Sequence, residues 1–412
     1  MEVLYDCCCG IDVHARMLVA CLIKDGRRET RTYSTMTDDL LRLLDWLKSS
    51  GCTQVAIEST GVYWRPVFNI LEGSLSVMLV NARDAKGFKA RKTDVIDAEW
   101  LADLLRHGLL KASFIPPLEI RELRELTRYR ESLVREQTAL ANRIQKLIES
   151  GNIKLGQVVS DALGVSGKQM LRALAAGEQD AKKMSHLARR RMKRKQPELE
   201  RALAGRLTQA QRWVLRELLD QYEQVEAAIT RVEEKIREEI ESAEDPFVGE
   251  AVGLLDTIPG IAETIAQTIV SEIGVEMRRF PTDKHLASWA GMCPGNNESA
   301  GKRKSGKTRR GNRYLRTALV QAAWAASHQK ETYLAAQYQR LVKRMGKKKA
   351  LLAVGHSILV IVYHVLQSRL SYRELGGDYF DKRDIEKRQQ RLIRQLEALG
   401  LKVTVEQLPI AA

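Results

Sequence analysis

Asp12 in GIDVHAR, Glu58 in VAIEST, and Asp94 and Asp97 in KTDVIDAEW are the residues of this chain best spaced to do chemistry together. Three apart on a helix, Asp94 and Asp97 share a face. Carboxylates gathered at one point repel unless cations neutralise them, and two divalent ions about 3.5–4 Å apart are a known device for in-line displacement at a phosphodiester. Hard oxygen ligands favour Mg²⁺, with Mn²⁺ as the substitute, over zinc. A second chemistry is conceivable near residue 300. There FPTDKHLASWAGMCPGNNESAGKRKSGKTRRGNRYLR joins Gly-rich turns to eight basic residues between Lys302 and Arg316. A serine in such a loop is either a turn hydroxyl or a nucleophile whose target phosphate is neutralised by the neighbouring cations. His14, two residues from Asp12, is expected to be structural.

The acids need a frame, and residues 3–117 read as an α/β unit. Tyr5–Val13 reads as one strand and Met17–Lys24 as a second, with Asp25-Gly26 as the turn into a third at Glu29–Ser34. Thr37 or Asp38 can cap a helix carrying Leu40, Leu41, Leu44 and Leu47. Gln54–Glu58 and Leu75–Val80 read as strands, Trp64–Leu71 and Asp94–His107 as helices. Two strand ends and one helix can then bring the acids together above a sheet, in the order D, E, D, D on an RNase-H-like pattern. Pro116-Pro117 marks the boundary of this first domain, 1–117.

From Leu118 the apolar period becomes seven. Leu123, Leu126, Leu133, Leu140, Ile144 and Leu147 fall on one seam with Arg130 and Gln137 as polar interruptions; Leu215, Leu218, Tyr222, Val225, Ile229, Val232 and Ile236 make another. Residues 118–245 therefore read as an antiparallel coiled-coil arm, an intramolecular hairpin or a dimerisation element, with residues 151–210 as its tip. That tip carries a basic run, Lys182, Lys183, Arg189, Arg190, Arg191, Lys193, Arg194 and Lys195, without one acid. It is either a solvated surface or a sequence-independent phosphate contact. A mainly helical region, 246–380, holds GLLDTIPGIAETIAQTIVSEIG, which looks like a helix-hairpin-helix whose turn either packs or meets a phosphate. A charged helical tail, 381–412, is expected as a helix over Lys382–Leu399 and a short strand at LKVTV.

Composition narrows the partner. Over 412 residues, 67 Lys and Arg oppose 52 Asp and Glu, a surplus of +15 that asks for a polyanion, nucleic acid first. With 44% hydrophobic residues and nine prolines the chain is neither disordered nor collagen-like. The N-terminus has no legible signal peptide. Leu351–Leu366, interrupted by His356 and His364, is short for a membrane span and reads as a buried helix. Six cysteines without CxxC spacing read as apolar fillers in a reducing cytoplasm.

Taken in order, GIDVHAR, AIESTG, KTDVIDA, IPGIA, ASWAGMCPGNNESAGKRKSGKTRRGNRYLR and AVGHSILVIVYHVL resemble the DEDD transposases of the insertion sequence 110 family, which include bridge-RNA-guided recombinases and pilin-gene invertases. The resemblance covers nearly the whole chain. It implies a RuvC-like (RNase H fold) domain, a coiled coil and a helical transposase domain, and makes Asp12, Glu58, Asp94 and Asp97 the metal-binding tetrad. It also makes Ser299 the nucleophile that links covalently to DNA. Ser299 is chosen over Ser305 by its distance from ASWAGMCPG, although Ala300 stands where many relatives have Gly. Also implied are donor and target DNA, a structured bridge RNA and a homo-oligomer, a dimer or tetramer, in which the serine and the acidic site combine across protomers. The basic residues Lys302, Arg303, Lys304, Lys307, Arg309, Arg310 and Arg313 would join those of the tip in binding nucleic acid. Two other readings compete: a metal-dependent resolvase-like nuclease without a covalent intermediate, and a silent nucleic-acid-binding protein.

Overall fold

Cys7–Val13 forms β1, the central strand of the computed structural model, and is buried on both faces, which is why it reads as an unbroken apolar run. The residues described are 2–59, 61–81, 93–295, 297–299, 301–308, 310–400 and 402–404. Two compact units, Met1–Ile115 and Pro116–Ala412, divide the chain. In the first, β1 pairs antiparallel with β2 (Met17–Lys24), and β2 with β3 (Arg27–Ser34). After helix α1 (Thr37–Ser49), β4 (Gln54–Glu58) runs parallel to β1. After α2 (Trp64–Leu71), β5 (Ser76–Val80) runs parallel to β4, giving the order β3-β2-β1-β4-β5. Neither Thr37 nor Asp38 caps α1: its N-cap is Met36, without a side-chain bond, while Asp39 accepts from the Ser34 backbone N–H at 3.2 Å and from the Ser34 hydroxyl.

Strand alternation sends Cys9, Ile11 and Val13 toward a core with Leu43, Leu47, Val67 and Phe68 of α1 and α2. Cys8 goes the other way, with Val19, Cys21 and Ala56, onto α3 (Asp94–Arg106) through Ala98, Leu101, Ala102 and Leu105. Helix α3 approaches very closely. A Cβ on Gly10 would lie 2.4 Å from the Ala102 amide nitrogen and 2.5 Å from the Ala98 carbonyl oxygen. All six cysteines are free, with Cys8, Cys9, Cys21 and Cys52 buried and Cys7 and Cys293 half-buried. Burial pushes the Cys8 and Cys52 thiols up to about 12, so they stay protonated and unreactive.

The second unit begins with α4 (Leu118–Ser150), a 33-residue helix. A cap follows: α5 (Leu155–Val158), α6 (Val165–Ala176), α7 (Ala181–Ser185), a 3₁₀ helix over Arg190–Lys195, and α8 (Gln196–Leu203). Its core of Ile153, Leu155, Met170, Leu171, Met184, Leu199 and Leu203 is continuous with Ile144 and Leu215. Helix α9 (Gln209–Glu241), opened by a Thr208–Gln211 capping box, returns antiparallel to α4. Leu133 and Leu140 meet Val225 between them. The cap folds back along α9, where Arg172 of α6 bonds to Asp220 and Glu223 and Lys168 bonds to Glu226.

The unit continues with α10 (Phe247–Asp256), α11 (Glu263–Ile273), α12 (Asp283–Trp289), a ribbon of β6 (Asn297–Ser299) and β7 (Lys302–Ser305), α13 (Arg313–Ala326), α14 (Tyr333–Met345) and α15 (Lys347–Ser368). A last helix, α16 (Tyr379–Ala398), begins three residues before the expected Lys382. The turn between α10 and α11 uses Gly260 at φ +89°, where a Cβ would sit 2.3 Å from the Ala322 carbonyl oxygen; close packing on α13 is enough to require glycine there. By length and composition α15 could cross a membrane. Its Val354, Ile358, Leu359, Val362 and Tyr363 are buried, however, as the sequence reading expects of a core helix. Lys402–Thr404 is not in a strand. The outer residues of the expected LKVTV strand, 401 and 405, lie outside the described residues.

In the first half of α4 Leu123 and Leu133 of the expected seam are buried, but polar residues between them turn to α11. Arg130, buried, donates to the Gln267 side chain (2.7 Å), the Thr264 carbonyl (2.9 Å) and Thr268 (3.1 Å) of α11. Arg128 grips the fully buried Glu272 with two bonds of 2.7 and 2.8 Å, and Arg124 donates to the Ser271 and Glu272 carbonyls at the end of α11. Removing one partner from a buried pair leaves the other uncompensated. Glu272→Ala is therefore expected to destabilise this unit by about 3 kcal/mol, read as a lower denaturant midpoint.

Candidate acidic centre and basic ribbon

Asp12 lies near the end of β1, on the face that α3 covers, and is 5% exposed. The β1–β4 register pairs Ile11 with Ile57, so Asp12 and Glu58 occupy the next position on adjacent strands. By alternation they face the same side as Gly10 and Ala56. Thr93 caps α3 by accepting from the Ile96 amide, which sets Asp94 and Asp97 in the first helical turn, where the helix dipole favours negative charge. Ala98 and Ala102 let that helix lie against Gly10, which brings its first turn to the end of β1.

The group that closes is Asp12, His14 and Asp94, whose ligand atoms all lie within 4.8 Å of one another. His14 Nε2 is 3.3 Å from Asp12 Oδ2 and 3.2 Å from Asp94 Oδ1. That nitrogen is nevertheless buried without a hydrogen bond of proper geometry. Burial raises the Asp12 carboxyl above its ordinary range, the charges of Asp94 and Asp97 raise it further, and His14 works against them. A buried carboxylate, a second beside it and an imidazole nitrogen between them are a donor set that suits a divalent ion. Asp97 lies near enough to raise Asp12, whereas neither it nor Glu58 belongs to the tight group.

His14 is the residue that sequence reading set aside. The signal was present: positions 12 and 14 differ by two, the strand period that puts both side chains on one face. The His14 amide bonds to the Met17 carbonyl at 2.9 Å and closes the β1–β2 hairpin, so the ring projects from a fixed backbone.

Ser299 stands in the second unit, on the ribbon read from sequence as a flexible loop. It pairs with Lys302 across the turn, and Ser305 pairs with Asn297 at the other end. The ribbon's base is clamped. The Gly295 amide bonds to the Lys307 carbonyl at 2.9 Å, Pro294 bridges Thr308, and a Cβ on Gly311 would lie 2.4 Å from the backbone of Ala290 and Gly291. Asn312 caps α13 and donates to Glu272, tying the ribbon's exit to the ionic network of α4.

Lys302, Lys307, Arg310 and Arg313 are exposed; the side chains of Arg303 and Arg309, like Lys304, lie outside the described residues. In the cap, Lys182, Lys183, Arg189, Arg190, Arg191, Lys193, Arg194 and Lys195 are all exposed. Lys183 pairs with Glu178, and Lys195 reaches the Val158 carbonyl at 2.8 Å. The run is largely 3₁₀ rather than α, which eclipses Arg190 with Lys193 and Arg191 with Arg194.

An acidic centre suited to divalent metal on an α/β sheet, followed by a basic, largely helical unit, is the arrangement of a DNA-processing enzyme. Residues 9–152 match the model of the DEDD transposases of IS110, and residues 252–339 match that of the transposase IS116/IS110/IS902 family. A probable family 20 transposase of Pseudomonas aeruginosa is 24% identical over 327 residues, 77% of this chain and 85% of the relative. The transposase for insertion sequence element IS1111A of Coxiella burnetii is 22% identical over 377 residues, 89% and 87%. A pilin gene-inverting protein of Moraxella bovis is 33% identical over 129 residues, 30% of this chain and 38% of the relative. The chain belongs to the IS110 family of transposases.

Proposed function

We propose that this transposase moves its insertion sequence by cutting and rejoining DNA with a divalent-metal centre at Asp12, Glu58, Asp94 and Asp97 and a serine nucleophile, Ser299. The observation that carries the reading is the buried Asp12 carboxylate set beside Asp94, with the His14 nitrogen between them. The strand order β3-β2-β1-β4-β5, with only β2 antiparallel to the rest, supports an RNase-H-like, RuvC-type domain. The antiparallel pair α4 and α9 supports a coiled-coil arm that joins protomers into a dimer or tetramer.

Mg²⁺, or Mn²⁺ in its place, would be held by these acids and would polarise the phosphodiester and its attacking oxygen. The Ser299 hydroxyl attacks phosphorus and gives its proton to solvent, a Ser299–phosphate bond forms as the bond from phosphorus to one sugar oxygen breaks, and that oxygen takes a proton from solvent and departs as a hydroxyl. Attack by another strand's hydroxyl reverses the step and rejoins DNA. Lys302, Lys307, Arg310 and Arg313 offset charge on the phosphate. A structured bridge RNA, sharing the basic surfaces with donor and target DNA, guides the reaction, which takes place in the cytoplasm.

The test is incubation of protein, Mg²⁺, element-end RNA and labelled donor and target DNA, resolved on denaturing gels with and without protease. A protease-sensitive, slowly migrating DNA band is expected from the wild type and is expected to vanish in Ser299→Ala. Cleavage without that band in the wild type overturns the serine step and leaves a metal-dependent, resolvase-like nuclease.

A further inference from the structure

Neither family model reaches past residue 339, yet the chain beyond it carries a third concentration of positive charge. Between residues 340 and 349 stand Arg340, Lys343, Arg344, Lys347, Lys348 and Lys349, six cations in ten residues without an acid. All six are exposed. The first three, at the end of α14, line a cavity of about 750 Å³ whose other wall is the start of α16, with Phe380, Asp381 and Arg383. Like charges this dense repel one another, and long cationic side chains ordinarily find a carboxylate or remain in water. Among the described residues, Asp381 is the one acid on the cavity wall.

Arg383 behaves differently from a solvated cation. Its guanidinium lies 5.1 Å from the Phe380 ring centre and 5.8 Å from that of Tyr379, while Arg340 lies 5.2 Å from the Phe380 ring. Phe380 is itself buried and stacked on Tyr333, with centroids 5.2 Å apart. Two guanidinium groups are thus held by one fixed aromatic ring, which lowers the entropy lost when they take up a ligand. The Arg383 Nε–H is buried and has no acceptor among the described residues. An unpartnered buried donor on the wall of a cationic cavity calls for an anionic oxygen.

We infer that the cavity between α14 and α16 is a phosphate-binding site for the backbone of duplex DNA, separate from both the acidic centre and the serine ribbon. The contact is sequence-independent, made by Arg340, Lys343, Arg344 and Arg383 to phosphate oxygens, and the three following lysines extend it along the strand.

Salt titration of binding tests it. Each phosphate contact on B-DNA steepens the fall of log K against log salt by about 0.9. The double variant Lys343→Gln/Arg344→Gln, both side chains being exposed, is expected to reduce the slope on a duplex by about two and to weaken binding at 0.1 M salt by roughly 50-fold. Arg383→Gln is expected to reduce it by about one. The control Lys48→Gln/Lys111→Gln removes the same charge from exposed positions in the first unit and is expected to leave the slope unchanged. An unchanged slope in the double variant overturns the inference, as does an equal loss in the control, which would make the effect one of net charge. A slope reduced on an RNA hairpin but not on DNA overturns it too. Should Arg383→Gln fail to fold, the double variant decides alone.

Discussion

Asp12→Asn is expected to abolish DNA cleavage, by roughly 10³-fold or more given the several kcal/mol that metal-assisted charge stabilisation supplies, while DNA binding persists because it rests on cations elsewhere. The same substitution is expected to make the metal-free protein more stable. Burial and the charges of Asp94 and Asp97 together raise the Asp12 carboxyl, against the pull of His14. A carboxyl raised on folding is more tightly protonated in the native state. Its ionised form therefore opposes folding as pH rises through the raised value, and the opposition is absent below the unfolded value. At neutral pH without metal, Asn at position 12 removes that cost. Saturating Mg²⁺ or Mn²⁺ reverses the order, since an ion at a hundred times its Kd stabilises the wild type by about 2.7 kcal/mol and has lost a ligand in the variant. Thermal melts of both proteins, with EDTA and with metal, check both signs. A wild type whose melting point ignores the ion would show that the centre does not hold metal. His14→Ala is expected to weaken Mn²⁺ more than Mg²⁺ in the same melts, because an imidazole nitrogen favours the softer ion.

Gly10→Ala is the second large effect, and it needs no chemistry at position 10. The added methyl group would meet backbone atoms of Ala98 and Ala102, which no side-chain rotation can relieve. Helix α3 must move off β1 or the strand must bend. Overpacking of this kind costs typically 1–3 kcal/mol, and a backbone clash belongs at the upper end. The activity loss is expected to exceed what stability explains, because the displaced helix carries Asp94 and Asp97 while Asp12 stays on β1. Cleavage down at least tenfold at a temperature where circular dichroism shows the protein still folded is the expected result. A variant that melts earlier but cuts normally when folded would mean that α3 does not set the spacing of the acids.

Much of the first unit was legible because its elements obey one period each. Met17–Lys24, Gln54–Glu58 and Trp64–Leu71 end where the sequence reading put them, since turn residues and apolar runs coincide there. The arm was legible as two long helices. The role of Arg130 was not, because a heptad count records only that a polar residue interrupts the seam, not that α11 supplies its acceptors. The cap was read only as a tip: its helices are as short as four residues, too few turns for a 3.6-residue period to declare itself. The ribbon at 297–305 was missed for another reason, since Lys302–Ser305 carries no apolar alternation and its pairing is held by backbone contacts at the base. Among the acids, the face shared by Asp94 and Asp97 followed from spacing alone. His14 was hidden by the habit of reading a strand-end histidine as structural.

The antiparallel pair α4 and α9 has a consequence as a ruler. Arg128 fixes the ribbon's exit to one point on α4 through Glu272 and Asn312, and the basic cap is attached farther along the same pair. A helix advances 1.5 Å per residue, so the separation of these two surfaces is written in residue number. Seven residues inserted in each helix, near Glu131 and near Arg231, would lengthen it by about 10 Å and turn the cap by only about 20°. Four residues in each would lengthen it by about 6 Å and turn the cap by about 40°. The spacing between the basic cap and the ribbon is thus a quantity that can be dialled by whole turns, leaving the side chains of both surfaces in place.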